Sequence, residues 1–445
     1  MADITGTGTC TLPKLTANAQ GYKSLPLSLG ADTTLVAGTY VMHQNCDCNS
    51  YKLTYNCNAG NIVIKRSGDF YFTEVGIVDT TNSSATNKVY WTVVNDNTIG
   101  DTVPGSTGSP AVLGGSYNNG TVIQYNTTMK YWEIRWVDNK VFHVMTFSNA
   151  FAKILENITW KNCSYSSVRV LMVYGGHAST SIKYLHADNT NTFSGSSELL
   201  YLGATPTNLQ CVYVQTSNTT GNLVQYHFNT GSCSYINLQN SGNYAFYLND
   251  NRSTILNVRH CKTSFRIRND YGGRVNIFNS VITERGIYAE YAQGIGLYSC
   301  IFKSISTYVF NNYAQCCISA VRNCIFDSNA ALVDGAIMPI VRWNGLGGVK
   351  NNGYYNNTSE TNWVRGTYDT TISAPSWGNF PNGTLHTDWT TYGPGDGWYT
   401  TQDIATGADT NSFVGIGTTN QSHTGSTETA TTQRLGIAPV FSAFS

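Results

Sequence analysis

A short motif that recurs between residues 158 and 324 constrains the fold more than any other feature. Each copy has two apolar residues two positions apart, then a polar residue and a small residue, as in Ile158-x-Trp160-x-Asn162-Cys163. The copies end at Cys163, Ala187, Ser217, Ser241, Cys261, Ser280, Cys300 and Cys324. A repeat of roughly 20–30 residues is typical of stacked architectures, and alternation with a period of two indicates strands. We therefore predict an all-β parallel β-helix, a solenoid whose turns bury their apolar faces by stacking on one another.

Cysteines support the same interpretation. The chain has 12 of them, and four occupy the last motif position, where other copies have Ala or Ser. These are Cys163, Cys261, Cys300 and Cys324. A position that accepts Cys, Ala or Ser indicates a small buried side chain, so we predict a stack of reduced thiols rather than disulfides.

Asparagine recurs at the preceding motif position. The residues concerned are Asn162, Asn240, Asn279 and Asn323. Buried amides need hydrogen-bond partners. We therefore predict that these side chains bond from one turn of the solenoid, here called a rung, to the next.

The composition along the chain suggests four segments. Residues 1–30 are Gly/Thr-rich and are predicted to form an N-terminal arm or cap, and residues 31–335 form the β-helix. A long polar loop is predicted at 79–120, and loops of that length are usually functional or interface-forming. Residues 336–400 form a Trp/Tyr-rich C-terminal cap, and 401–445 a Gly/Thr/Ser-rich tail. We expect the tail's apolar end to dock on another subunit.

The bulk composition excludes several classes of function. Charged residues make up 12% of the chain and the formal net charge is zero, which argues against nucleic-acid binding. No apolar run is long enough to span a membrane. The first eight residues have no basic or apolar segment, so we expect no secretory signal. No motif indicates a cofactor.

Two carboxylates are candidates for glycoside cleavage, which uses paired acids. Glu284 and Asp327 follow the repeat on rungs two apart, so they are expected about 10 Å apart, slightly wider than the ~6.5–9.5 Å of inverting enzymes. Lys303 lies on the rung between them. The alternative is therefore a salt-bridged surface ladder.

Two further sets of residues are candidate sites. Cys46, Cys48 and Cys57 could bind a metal, although their spacing is unusual for zinc and buried cap cysteines are the alternative. Aromatic side chains that could stack on sugars or form subunit contacts are Trp363, Trp377, Trp389 and Trp398. The alternative for these is the core of a cap.

Two segments, Leu297-Tyr-Ser-Cys-Ile-Phe302 and Val321-Arg-Asn-Cys-Ile-Phe326, resemble rungs of right-handed parallel β-helix proteins of the pectin-lyase-like superfamily. The block from Tyr90 to Gly100 is similar to segments of phage- and environment-derived β-helix proteins. The resemblance implies a structural component of the virion, such as a spike, fibre or capsid appendage. Such a protein would be a homotrimer that contacts other virion proteins and host surface polysaccharide. The alternatives are a carbohydrate-active enzyme, either a tailspike-type depolymerase or a polysaccharide lyase, and a bacterial surface adhesin.

Overall fold

The structure is a computed structural model and describes residues 10–11, 22–113, 121–334 with short gaps, and several segments beyond. The gaps are 124, 139–141, 146–151, 168, 175–179, 217–219, 241, 251–254, 260, 270–273, 279, 291–293, 299, 315–317 and 323. The further segments are 348–350, 352–361, 363, 365, 370–371, 377–378 and 399–400. The chain divides into two compact units, Met1–Asn208 with Tyr213–Val224, and Leu209–Val212 with Gln225–Ser445.

The first unit consists of short strands. They are β1 Cys10–Thr11, β2 Lys23–Ser24, β3 Thr33–Val36, β4 Gly38–Met42, β5 Cys46–Asp47, β6 Lys52–Asn56, β7 Ile62–Arg66, β8 Phe72–Thr73, β9 Ile77–Thr81, β10 Val89–Val93, β11 Thr121–Ile123, β12 Thr127–Arg135, β13 Phe142–Met145, β14 Lys153–Lys161, β15 Ser164–Ser166, β16 Arg169–Tyr174, β17 Ser181–Ala187, β18 Thr192–Ser194 and most of β19 Glu198–Thr216.

The second unit continues in the same way. Its strands are β20 Val224–Asn240, β21 Phe246–Asp250, β22 Ile255–Arg259, β23 Lys262–Asn269, β24 Arg274–Phe278, β25 Val281–Glu290, β26 Ile295–Tyr298, β27 Ile301–Lys303, β28 Tyr308–Ala314, β29 Ile318–Arg322, β30 Ile325–Asp327, β31 Ala331–Val333, β32 Gly348–Lys350, β33 Gly353–Tyr355, β34 Thr370–Thr371, β35 Trp377–Gly378 and β36 Tyr399–Thr400.

Nearly all of these strands pair in parallel with the equivalent strand one rung further on, so the predicted all-β parallel solenoid is confirmed; β35 and β36 form a separate antiparallel pair. In the first unit the register aligns one buried side chain per rung: Tyr40, Ile64, Trp91, Ile134, Trp160 and Ala187. In the second unit the column is Val258, Ile277, Leu297 and Val321. The members of both columns are at most 1% exposed, so the stacking that the repeat predicts forms the core.

The solenoid extends beyond the predicted range of 31–335. On the N-terminal side, β2 pairs in parallel with β4. On the C-terminal side, β33 pairs in parallel with β30, and β34 with β33. The motif fades here because Asn352 takes the position of Cys324, whose N–H it accepts at 2.9 Å. An aromatic column continues across the boundary: Phe302, Phe326 and Tyr354 stack face to face, with centroid distances of 4.7 and 5.0 Å.

The predicted loop at 79–120 is shorter than expected, because strand β10 lies inside that range and pairs with β7. The described part of the remainder, residues 94–113, lies against its own unit. The buried Lys65 ammonium donates to the carbonyls of Asp96 and Asp101, each at 2.7 Å. Val103 packs with Tyr22 and Val41. A polar sequence is therefore held in place mainly through its backbone, which hydrophobic periodicity does not reveal.

The four motif cysteines are buried and free of disulfides, and their thiols bridge rungs. Cys163 Sγ donates to the carbonyl of Ile134 at 3.6 Å, and Cys300 Sγ to that of Ile277 at 3.4 Å. Ser280 has the same position and accepts the Cys261 N–H at 3.1 Å. The position therefore requires a small side chain that can hydrogen-bond to the backbone of the preceding rung.

Of the four asparagines predicted to bridge rungs, only Asn162 has a described side chain, and it makes no such bridge. Asn162 instead sits at a corner with φ of +55°, a conformation that asparagine adopts more readily than most residues. Asn279 and Asn323 lie outside the described residues, as does the side chain of Asn240. The amides that do bridge rungs belong to Asn191, Asn329, Asn352 and Asn357. Asn191, four residues after Ala187, occupies the position of Cys163 on the next rung, whereas Ala187 pairs with Trp160.

Candidate functional site

Four successive rungs of the second unit present a line of aromatic and polar side chains on their outer face. Strand register places Tyr247 beside Arg266, Arg266 beside Tyr288, and Tyr288 beside Asn311. The residues flanking these positions, such as Phe246, Leu248, Phe265, Ile267, Ile287 and Ala289, are at most 1% exposed. Because side chains alternate along a strand, the four residues point away from the core column. Tyr247 is nevertheless buried, at 7% exposed, whereas Arg266, Tyr288 and Asn311 are partly exposed. We call them the Tyr–Arg stripe; at ~4.8 Å per rung it spans about 14 Å.

Arg266 holds the stripe together. Its guanidinium carbon lies 4.6 Å from the centroid of Tyr247 and 5.9 Å from that of Tyr288. Its Nη2 atom donates to both carboxylate oxygens of Glu290, at 3.0 and 3.2 Å. The ion pair fixes the guanidinium against the two rings, so the stripe is a preformed surface.

Tyr244 widens the stripe at one edge. Its ring stacks on Tyr288 with a centroid distance of 5.4 Å and an interplanar angle of 23°. Asn311 Nδ2 donates to the Tyr244 hydroxyl at 3.3 Å. Burial raises the pKa of Tyr244 and that of Tyr247 above the ordinary value, so both phenols stay neutral hydrogen-bonding groups near pH 7.

This arrangement can bind a ligand that has both an apolar face and hydroxyl groups. The partly exposed rings of Tyr244 and Tyr288 offer flat apolar contact, while their phenols and Asn311 offer hydrogen-bond donors and acceptors. The Arg266 charge is balanced by Glu290. A sugar chain has the matching chemistry.

The first unit has a smaller cluster of the same residue types. Arg169 Nε donates to Glu198 Oε2 at 2.9 Å, and the guanidinium lies 4.0 Å from the centroid of Tyr201. Burial raises the pKa of Glu198 to about 7 despite this ion pair. The carboxylate therefore changes charge close to neutral pH.

The candidate acids Glu284 and Asp327 occupy different settings in the second unit. Glu284 occupies a corner with φ of +60°. Asp327 is 5% exposed, accepts a hydrogen bond from Ser328 Oγ at 2.8 Å, and pairs in register with Lys303. The burial of Asp327 is the physical reason against its acting on a polymer, and the predicted alignment of Lys303 with Asp327 is confirmed.

The candidate metal ligands do not converge either. Cys46, Cys48 and Cys57 are buried, but among the described residues no three His, Cys, Asp or Glu side chains are grouped closely enough to hold a metal ion. Burial raises the pKa of the Cys57 thiol to about 11, which disfavours the thiolate that a metal would require.

Of the candidate tryptophans, Trp363 is a core residue rather than a binding residue. It is 8% exposed, stacks on Phe310 with a centroid distance of 5.3 Å, and donates from Nε1 to the Tyr354 hydroxyl at 2.8 Å. Trp377 lies in β35, and its side chain is outside the described part of the structure. Trp389 and Trp398 also lie outside the described residues.

The Tyr–Arg stripe was not predicted from the sequence, because it lies outside the repeated motif that carries the cysteines. The signal was a second apolar-x-apolar pattern on each rung, with a large polar or aromatic residue between: Phe246-Tyr247-Leu248, Phe265-Arg266-Ile267 and Ile287-Tyr288-Ala289. Aligning the rungs on both patterns would have brought Tyr247, Arg266 and Tyr288 together.

Comparisons with protein-family models, with curated proteins and with solved structures gave no match to this chain. Within the described residues, no helix has the length and apolar character needed to cross a membrane. The class that the fold defines is therefore that of parallel β-solenoid proteins, and the function must be argued from the site.

Proposed function

We propose that the chain is a structural component of a bacteriophage virion, a spike, fibre or capsid appendage, which binds glycans of the host surface through the Tyr–Arg stripe. The observation that carries the proposal is the stripe itself, a preformed aromatic and hydrogen-bonding surface on consecutive rungs. The resemblance of the rung sequences to pectin-lyase-like β-helices, and of the block from Tyr90 to Gly100 to phage- and environment-derived segments, supports the virion assignment.

The structural role is supported by where the solenoid places its polar groups. Buried Cys, Ser and Asn side chains bond rung to rung, while the candidate acid Asp327 is enclosed. These features stabilise a stack and provide no pair of accessible carboxylates at Glu284 and Asp327. Self-association, for which we propose a homotrimer, would cover the strand edges of terminal rungs.

Glycan binding is tested with a panel of bacterial surface polysaccharides immobilised on an array. We expect the full chain to bind at least one of them, and Tyr288→Ala to weaken that binding about tenfold or more, since stacking on one aromatic side chain is worth ~1–3 kcal/mol. The matched control is Tyr355→Ala, because Tyr355 lies on β33 in a different series of strands and has similar partial exposure. Equal affinity of the Tyr288→Ala variant and the wild type would contradict the role of the stripe.

The virion assignment needs its own measurement. Peptides of this chain should appear by mass spectrometry in purified virions whose capsid and tail genes flank its gene, and light scattering of the purified protein should give the mass of a trimer. Absence from such virions would refute the assignment even if glycan binding holds. Cleavage of a bound polysaccharide, lost in Glu284→Gln or Asp327→Asn, would favour the depolymerase alternative.

A further inference from the structure

One outward-facing column of the first unit is a lysine–glutamate–lysine ladder. Strand register places Lys130 of β12 beside Glu156 of β14, and Glu156 beside Lys183 of β17. The two ammonium groups share one carboxylate: Lys130 Nζ lies 3.2 Å from Oε2, and Lys183 Nζ lies 3.3 Å from Oε1. Two positive charges face one negative charge, so the ladder has a net positive charge.

A second cluster on the same rungs also has an excess of cations. Glu133 of β12 is contacted by Lys88, Arg135 and Lys161. The Nζ atoms of Lys88 and Lys161 lie 3.7 and 3.6 Å from its oxygens, which is beyond hydrogen-bond distance. Arg135 also lies 3.7 Å from the carboxylate of Asp96. Three cations therefore face two carboxylates, and two of the ammonium groups keep their donors available for a ligand.

The lysines reach solvent more than the carboxylates do. The side chains of Lys130, Lys183 and Lys161 are 36%, 33% and 32% exposed. Those of Glu133 and Asp96 are at most 4% exposed. A ligand in solvent can therefore touch the ammonium groups, whereas it cannot touch these two carboxylates.

Two neighbouring titratable groups do not remove the excess. Burial lowers the pKa of His186 to about 4, so its side chain is neutral near pH 7. Asp188 is partly exposed and accepts hydrogen bonds from the N–H and the hydroxyl of Thr190, at 3.0 and 2.6 Å. With Asp188 included, the five cations stand against four carboxylates, and two of those four are the enclosed ones.

The corner beside the ladder has tyrosine in an unfavourable backbone conformation. Tyr131, next to Lys130, has φ of +56°, and Tyr184, next to Lys183, has φ of +59°. Asn157, at the same corner on the rung between, has φ of +57°, and asparagine adopts this conformation more readily than a bulky residue does. Both tyrosines are partly exposed, and Lys183 Nζ lies 5.6 Å from the ring centroid of Tyr184. The backbone does not favour tyrosine here, and contact between its ring and a ligand would offset that cost.

An anionic polysaccharide matches this surface better than a nucleic acid does. The apolar faces of sugar rings pack on tyrosine. Anionic groups that recur along a sugar chain are spaced comparably to the rungs, which lie about 4.8 Å apart. Binding to nucleic acid depends on many phosphate contacts, whereas this chain has a formal net charge of zero.

We propose that the lysine face, made of Lys88, Lys130, Arg135, Lys161 and Lys183, binds the anionic groups of an acidic polysaccharide that runs along the solenoid axis. The lysine face is built from residues of the first unit only. It is a second glycan-binding surface and rests neither on the Tyr–Arg stripe nor on the virion assignment.

The test measures binding of the full chain to immobilised dextran sulfate, hyaluronate and unmodified dextran by biolayer interferometry. We expect both anionic polymers to bind, and dextran sulfate to bind at least about tenfold more tightly than dextran. Raising the NaCl concentration from about 0.05 M to about 0.5 M should weaken this binding, because salt screens exposed charges.

Substitutions on the lysine face should change the affinity in opposite directions. Lys161→Ala and Lys183→Ala should each weaken binding to dextran sulfate about two- to fivefold, the range that one exposed ion pair provides. Glu156→Gln should strengthen binding by a similar factor, because it removes the carboxylate that Lys130 and Lys183 share. A purely structural role of the ladder would not give a gain in affinity.

Lys52→Ala is the matched control. Lys52 is 37% exposed and belongs to the first unit, but its ammonium donates a hydrogen bond to its own partner, Asp79, at 2.8 Å. Its removal should leave the affinity for dextran sulfate unchanged. Circular dichroism will verify that each variant folds.

Three results would overturn the proposal. The first is failure of both anionic polymers to bind. The second is unchanged affinity in a variant that combines Lys161→Ala with Lys183→Ala. The third is a single-stranded oligonucleotide that displaces dextran sulfate and binds more tightly than either polymer, which would make the partner a nucleic acid. Loss of dextran sulfate binding in Tyr288→Ala would assign the polymer to the Tyr–Arg stripe and equally overturn the proposal, whereas failure of the stripe on the glycan array would leave this result standing.

Discussion

Replacing Asn191 with alanine should destabilise the first unit by breaking a link between two rungs. Asn191 is 5% exposed. Its Oδ1 accepts the N–H of Cys163 at 3.1 Å, and its Nδ2 donates to the carbonyl of Trp160 at 2.9 Å. Both partners belong to the preceding rung, so the side chain replaces the strand hydrogen bonds that the corner interrupts.

The expected cost follows from what alanine leaves behind. Cys163 and Trp160 are each 1% exposed, so water cannot easily replace the lost amide. An unsatisfied buried backbone group costs about 1–3 kcal/mol, and two such groups give an expected loss of about 2–5 kcal/mol. The third contact of Nδ2, with the Asp188 carbonyl at 3.0 Å, lies within the same turn and is partly exposed, so it adds little.

Urea unfolding followed by tryptophan fluorescence measures this loss, with Asn189→Ala as the control. Asn189 lies in the same turn and is exposed, so its substitution should change the unfolding free energy by less than about 0.5 kcal/mol. Asn191→Ser should restore part of the loss, because Ser280 fills the equivalent position in the second unit. If Asn191→Ala and Asn189→Ala unfold at the same urea concentration with the same slope, the rung-bridging argument is wrong.

Three further predictions concern burial. The motif cysteines should resist alkylation in the native protein and react after denaturation, as read by mass spectrometry; they are Cys163, Cys261, Cys300 and Cys324. Cys261→Ser should be tolerated while Cys261→Leu should cost ~1–3 kcal/mol by overpacking, and a mapped disulfide among the four would contradict the thiol stack. Glu198 has a pKa of about 7 in the folded state and near 4.3 in the unfolded state, so the folded protein binds this proton more tightly. The unfolding free energy should therefore fall as pH rises between these two values. Glu198→Gln should reduce the difference in unfolding free energy between pH 5 and pH 8. An unchanged slope would refute the burial of this carboxylate. Trp363→Ala should lower the unfolding free energy by about 3–5 kcal/mol, because it removes a large core side chain. A variant that unfolds like the wild type would contradict the burial of Trp363.

The fold was predictable because one requirement repeats on every rung. Apolar residues two apart must face the core, and pairs such as Val258 with Ile277 and Leu297 with Val321 keep that spacing in both sequence and structure. The cysteine position was predictable for the same reason. The boundaries were not, because on the last rungs Asn352 stands where the motif has a small residue such as Cys324.

The bridging asparagines were missed because corners differ in length between rungs. Asn191 follows its motif by four more residues than Cys163 does, so a fixed spacing assigned Ala187 to its position. The amide's function depends on the distance to the preceding rung's backbone, which strand register sets and sequence spacing does not. Asn162 was misassigned although its spacing in the motif is regular. Asparagine is favoured at this corner because it adopts a left-handed backbone conformation readily, and not because its side chain bridges two rungs.

Outer-face positions are the part of a solenoid that sequence constrains least, and this explains why the Tyr–Arg stripe emerged only from the register. The core columns and the rung-bridging side chains fix each rung at about 4.8 Å from its neighbours. Outward residues on neighbouring rungs are therefore regularly spaced, although their own side chains do not determine the distance between rungs. Tyr247, Arg266 and Tyr288 use one such spacing between neighbours, which brings a guanidinium against two rings. Substitutions on the outer face should consequently change binding while stability stays nearly constant, whereas substitutions at bridging positions should change stability first and alter binding only as the rungs separate.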